Sequence, residues 1–137
     1  MKEGHYSWSN QSFRSFDSTV VQIITNQGIS GFGEICPLGP SYLPSYSEGV
    51  RVGIKKLSEI LLGKDPSNIN NINFLMDNAL KGHPYVKSAV DIACWDILGK
   101  KMNIPVYTLL GGKLQSKVKL FKVISRDIPE IMQEKVN

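Results

Sequence analysis

The chain has 137 residues, 42% of them hydrophobic and 20% charged, with a formal net charge of +4. That length suffices for one domain with a real core; no apolar run approaches the roughly 20 residues of a membrane span, and MKEGHYSWSNQSF lacks the apolar stretch of a secretory signal. The lysines are scattered, with only Lys55-Lys56 and Lys100-Lys101 paired, which argues against a nucleic-acid stripe, and two cysteines, Cys36 and Cys94, do not make a metal knuckle or a disulfide framework, so a reduced cytoplasmic setting is expected.

Residues 1 to 17 are polar and aromatic, with Tyr6, Trp8, Phe13 and Phe16 among Ser, Asn and Gln, and no period holds, so a loop or mobile arm is predicted. Thr19, Val20, Val21, Ile23 and Ile24 then make a β-branched strand. Asn26-Gln27-Gly28 supplies a turn, and Ile29 to Cys36 returns as the second strand of an antiparallel hairpin. Gly31 and Gly33 in that strand permit either a bulge or a close backbone approach.

Pro37 to Pro44 is a stiff loop with three prolines. Ser45 and Glu48 have capping-box spacing, and a helix to about Leu62 uses Val50, Ile54, Leu57 and Leu61 on its inner face. Gly63 stops it. Asp65-Pro66-Ser67 opens a second helix with Ile69, Ile72, Leu75, Met76, Ala79 and Leu80. After the break at Gly82-His83-Pro84, Val90, Ala93, Cys94, Ile97 and Leu98 form the stripe of a third helix. Ala89 and Ala93 on it are small enough to let another backbone come close, and Asp91 and Asp96 fall off the stripe. Gly99-Lys100-Lys101 closes this helix, Pro105 starts a short turn of helix, and Gly111-Gly112 ends it. Lys117 to Ile124 alternates like a strand, and Asp127 is placed to cap a helix whose first turn is Ile128-Pro129-Glu130. A strand pair followed by a helical layer is an α+β order.

The stretch Ala89-Val90-Asp91-x-Ala93-x-x-Asp96-x-x-Gly99-Lys100, followed by Pro105-Val106-x-x-Leu109-Leu110-Gly111-Gly112, resembles the signature of the mandelate racemase and muconate-lactonizing enzymes of the enolase superfamily. The resemblance implies an enolase-type N-terminal capping domain over residues 1–116, its first strand apparently missing. Residues 117–137 would be the first strand and the start of the first helix of a truncated (β/α) barrel. Two capping loops of that family close over substrate, and they would correspond to Gly4–Phe16 and Pro37–Tyr46. The run Gly33 to Tyr42, GEICPLGPSY, looks most like the branch acting on proline derivatives, which includes cis-3-hydroxy-L-proline dehydratases and hydroxyproline-betaine epimerases.

That family abstracts a proton α to a carboxylate, with Mg2+ stabilising the enediolate and barrel lysines as acid and base. A barrel takes at least roughly 200 residues, so the metal ligands and bases of a complete enzyme are expected outside this sequence. No catalytic residue and no metal ligand is assigned, and the chain alone is expected to be inactive. Lys117-Val118-Lys119 has the spelling of the family's Lys-x-Lys pair, but it opens the first strand rather than ending the second, so solvated lysines are expected.

Tyr42 is the first substrate-binding candidate: its phenol could stack on a ring and bond a carboxylate, and its loop position favours this over plain packing. Trp8 and Tyr6 are the others, an aromatic wall able to attract a cationic amine, set against an equally weighted reading as aromatics of a disordered arm. Glu34 has no second acid at ligand spacing, His5 and His83 have no partner acids, and Cys94 is expected to be a buried thiol. The partner implied is a small carboxylate substrate, without nucleic acid or membrane, and self-association or a homo-oligomer is expected. A non-catalytic binding or assembly module, or a gene remnant, is the alternative.

Overall fold

The computed structural model describes residues 4–121 and 123–136. The chain divides into two bodies, one of residues 17–113 and one that joins residues up to Phe16 with those from Leu114 onward. The larger body carries the expected α+β order: an antiparallel hairpin, β3 (Thr19–Ile24) and β4 (Ser30–Ile35), then α1 (Ser47–Leu61), α2 (Ile69–Ala79), α3 (Pro84–Met102) and the short α4 (Val106–Leu109). The smaller body holds β1 (Tyr6–Trp8), β2 (Gln11–Phe13) and α5 (Pro129–Val136).

The core of the larger body lies where the three helices meet beneath the hairpin. Val50 and Leu57 of α1, Ile72 and Met76 of α2, and Val86, Val90 and Cys94 of α3 are all buried there, and Val21, Ile23 and Ile35 of the hairpin pack against them. The sequence stripes therefore mark the inner faces correctly. Burial pushes the Cys94 thiol up to about 12, with a smaller contribution from the nearby Asp91 carboxylate.

The glycines of β4 make a close approach, and the ladder runs without a bulge from Thr19–Ile35 to Ile24–Ser30. A Cβ on Gly33 would overlap the carbonyl oxygen of Ala89 and lie 3.0 Å from the Ala93 nitrogen, and one on Gly31 would lie 2.5 Å from Cγ1 of Ile97. Two glycines on a strand thus face two alanines on a helix, and the backbones meet. Asp96 of α3 then accepts from the Phe32 N–H at 2.9 Å and from Lys100 Nζ at 2.7 Å, while Lys100 also donates to the Ser30 carbonyl at 2.8 Å. Partial burial works to raise the Asp96 carboxyl, but the Lys100 and Phe32 hydrogen bonds outweigh it and hold the group below the usual carboxylate range.

Several expectations need correction. The N-terminal arm contains a hairpin, with Tyr6 opposite Phe13 and Trp8 opposite Gln11. Its turn rests on Ser9 at φ 40°, a left-handed conformation that composition does not announce. The Ser45–Glu48 capping box does not form, because α1 begins at Ser47 with Tyr46 as its N-cap, which puts Ser45 one residue too early. Ser47 instead donates its hydroxyl to the Asp17 carbonyl at 2.9 Å. Asp65 accepts from the N–H and the hydroxyl of Ser67 in a tight turn, and Asn68 caps α2 through the N–H of Asn71. Pro105 stands just before α4 as its N-cap.

The strand expected over Lys117–Ile124 is not formed among its described residues, and Lys122 lies outside them. Leu120 and Phe121 are 94% and 89% exposed. An alternating pattern supplies propensity, but a strand needs a ladder partner, and none among the described residues runs alongside. Asp127 sits one residue before the cap of α5: its carboxylate accepts from the Ile128 N–H at 3.0 Å and pairs with Lys135 at 3.7 Å.

Candidate functional site

In the smaller body the aromatic residues of the arm converge. The Tyr6 and Trp8 rings lie 5.1 Å apart, Trp8 stacks on Phe13 at 5.0 Å with planes 6° apart, and Phe16 sits 6.4 Å from both Tyr6 and Phe13. Side chains two apart on a strand share a face, which is why Tyr6 and Trp8 meet. The hairpin then brings Phe13 across to them. Between the two rings, Ser7 is buried and firmly held: its N–H donates to Ser125 Oγ at 2.8 Å, its carbonyl accepts from the Arg126 N–H at 2.8 Å, and its hydroxyl donates to Ser12 Oγ at 2.9 Å. Two aromatic rings on the pinned strand β1, with Phe13 and Phe16 beside them, make a cluster of the kind that attracts a cationic or ring-shaped ligand. Phe13 and Phe16 have no role in the sequence reading, and the signal that could have found them is the hairpin register.

Tyr42 belongs to the larger body. The loop from Pro37 closes on Gly39, at φ 94°, whose carbonyl accepts the N–H groups of both Tyr42 and Leu43 at 3.0 Å. Tyr42 is 58% exposed, so the structure brings Tyr6 and Trp8 together in one body and presents Tyr42 in the other. At the start of the larger body, Asp17 accepts from Arg51 Nη1 at 2.9 and 3.1 Å, and that guanidinium holds the Asp17 carboxyl below the usual carboxylate range.

Among the described residues no group of three His, Cys, Asp or Glu side chains could hold a metal ion, so these residues do not fit a magnesium centre. Lys117 and Lys119 are exposed. No helix of the chain is long and apolar enough to cross a membrane, among the described residues.

An antiparallel hairpin over a three-helix layer, with aromatic loops ahead of and behind the hairpin, defines an enolase-type capping domain. Residues 6–111 match the N-terminal domain of the mandelate racemase / muconate lactonizing enzyme family, and the chain belongs to that family. It is 56% identical over 137 residues to a cis-3-hydroxy-L-proline dehydratase of Roseibium aggregatum, which covers 99% of the chain and 37% of that protein. With an N-succinyl-L-Arg/Lys racemase of Bacillus cereus it shares 37% identity over 123 residues, 90% of the chain and 33% of the relative. The crystal structure of the N-succinyl Arg/Lys racemase from that organism superposes with a TM-score of 0.89 at 36% identity, covering 96% of this chain and 36% of the racemase. A member of the enolase superfamily from Roseovarius nubinhibens, crystallised with magnesium, superposes at 0.83 and 43% identity over 96% of this chain and 36% of that one. The chain thus spans about a third of the length of these relatives.

Proposed function

We propose that this chain is the capping portion of an enzyme that removes the proton α to a carboxylate, acting as a dehydratase or epimerase of a proline derivative. The observation that carries this reading is the 56% identity to the hydroxyproline dehydratase along the whole chain, against 37% to the racemase and 34% to a hydrophobic dipeptide epimerase of Enterococcus faecalis. Its part in the reaction is selection, with the phenol of Tyr42 offered to the substrate carboxylate. The magnesium ligands and the acid–base groups of such an enzyme would be residues other than Tyr42. Loss of a hydrogen bond to a charged group is worth roughly 1.5–3 kcal/mol.

The test joins residues 1–137 to the remainder of the Roseibium dehydratase in place of its matching portion. The expected result is turnover of cis-3-hydroxy-L-proline by the hybrid and none by the 137-residue chain alone. Tyr42→Phe in the hybrid should lower kcat/KM about ten- to a hundred-fold with little change in folding. A folded hybrid that ignores hydroxyproline, or equal kcat/KM for the two variants, would overturn the assignment of substrate or of Tyr42 respectively.

A further inference from the structure

Two residues at the start of α1 break local rules, and they break them together. The N-cap is Tyr46, in extended backbone and with no side-chain cap bond, where serine, threonine, asparagine and aspartate are the usual choices. Inside the first turn stands Gly49, and glycine is the poorest helix former after proline. Its backbone does not require glycine either, because φ there is not positive.

What the two residues achieve jointly is a contact. The Tyr46 ring folds back over the first turn, and a Cβ on Gly49 would lie 2.9 Å from Cζ of that ring and 3.1 and 3.2 Å from its two Cε atoms. The ring occupies the place of the missing side chain. Gly53, one turn later, serves the core instead, since a Cβ there would meet both methyls of Val86 on α3 at 2.8 Å. Gly49 thus seats the cap residue of its own helix, not a neighbouring element.

That seat lies at the end of the loop that carries Tyr42. Between Tyr42 and Tyr46 the backbone has little freedom: the Gly39 carbonyl accepts the N–H groups of Tyr42 and Leu43, and the Ser45 N–H donates to the Leu43 carbonyl at 2.7 Å. Pro44 between them has its φ fixed by its ring. A shift of Tyr46 is therefore passed along to Tyr42 rather than absorbed on the way.

We propose that Tyr46 and Gly49 are positioning residues: the ring docked on the glycine fixes the end of the loop and with it the place of Tyr42, a role that rests on Tyr42 contacting substrate. The ring also lines a cleft of about 360 Å3, together with Leu80 and Val86. A ring pushed off the glycine can turn into that space without disturbing the core.

Gly49→Ala is the probe, first in the full chain. Alanine improves helix propensity, so the urea midpoint should hold or rise. Amide exchange at Tyr42, Leu43 and Ser45 should quicken about fivefold, while that at Ile54 within α1 stays as it was. In the hybrid with the Roseibium dehydratase, Gly49→Ala should raise KM for cis-3-hydroxy-L-proline about fivefold and leave kcat within about twofold. Tyr46→Ala should do the same. Gly49→Ala/Tyr46→Ala should do no more than Tyr46→Ala alone, because the glycine acts only through the ring. A lowered urea midpoint, unchanged exchange along the loop, or effects of the two substitutions that simply add would overturn the proposal. So would an unchanged KM in a hybrid that Tyr42→Phe impairs. Loop amides that respond as expected in a hybrid indifferent to Tyr42→Phe would uphold the ring seat and overturn the role of Tyr42 alone.

Discussion

The two edges of the β3–β4 hairpin have the same length and belong to the same ladder, yet they end differently. On the β4 side, α3 finishes the edge: Ala89 and Ala93 receive the glycine backbone, Asp96 takes the Phe32 N–H, and Lys100 serves the Ser30 carbonyl while its ammonium stands 5.4 Å over the Phe32 ring. On the β3 side the helices stand back and leave a cleft. Whether an edge is closed is therefore decided by side chains more than 60 residues away in sequence, not by the strand itself.

The comparison breaks most severely at Gly33. Gly33→Val would drive a branched side chain into the Ala89 carbonyl, which is backbone and cannot swing aside. A loss of about 3 kcal/mol or more is expected, read as a shifted urea midpoint or outright failure to fold. Gln22→Thr on the open edge, which touches no such contact, should stay within about 0.5 kcal/mol.

Asp96→Ala is the next effect. It opens the closed edge without touching the core and should cost about 1 kcal/mol at neutral pH, the exposed Lys100 arm being discounted for screening. Amide exchange at Phe32 should quicken while Val21 and Ile23 keep their protection. Because the folded Asp96 carboxyl lies below its ordinary value, its contribution is present above about pH 4 and disappears as pH falls through the folded value. The parent and the variant should therefore converge in strong acid. A constant gap between them across the acid range would mean that Asp96 acts by packing alone.

The last effect, confined to alkaline pH, concerns Cys94, beneath the sheet. Its folded thiol stands at about 12, against about 8.5 in an unfolded chain. Between those values the native state holds a proton that the unfolded state releases, so stability falls as pH rises. Cys94→Ala should flatten that decline between about pH 9 and 11, as measured by urea titration at fixed temperature. An unchanged slope would show that water reaches the thiol.

The sequence makes one half of each contact readable. Gly31 and Gly33 announce a close approach, Ala89 and Ala93 announce a helix face able to receive one, and each is legible because a missing side chain leaves few alternatives. Asp96 is visible as a charge off the apolar stripe, but its partner is a backbone N–H 64 residues away, which no spacing rule reaches. The arm hairpin is hidden for a different reason: its turn relies on a left-handed Ser9, a residue type that rarely marks such a turn. Lys117–Ile124 misleads in the opposite sense, since alternation records what a stretch could pair with, not whether a partner is there. Of the candidate site, the residue types at Tyr6, Trp8 and Tyr42 are legible. Ser7, which pins the aromatic strand, is not, because a serine in a polar run carries no sign of its distant partners Ser125 and Arg126.

Asp96 and Lys100 stand four residues apart on α3, and their targets, Phe32 and Ser30, stand two apart on β4. Four helical residues rise about 6 Å and two strand residues about 6.7 Å, so helix and strand act here as a vernier whose marks coincide in one alignment. The marks also carry a sign, since the anion meets a donor and the cation an acceptor. Exchanging the two residues would preserve the ion pair along the helix and yet present each charge to the wrong end of the strand. The direction in which β4 runs past α3 is thus written in the order of two charges.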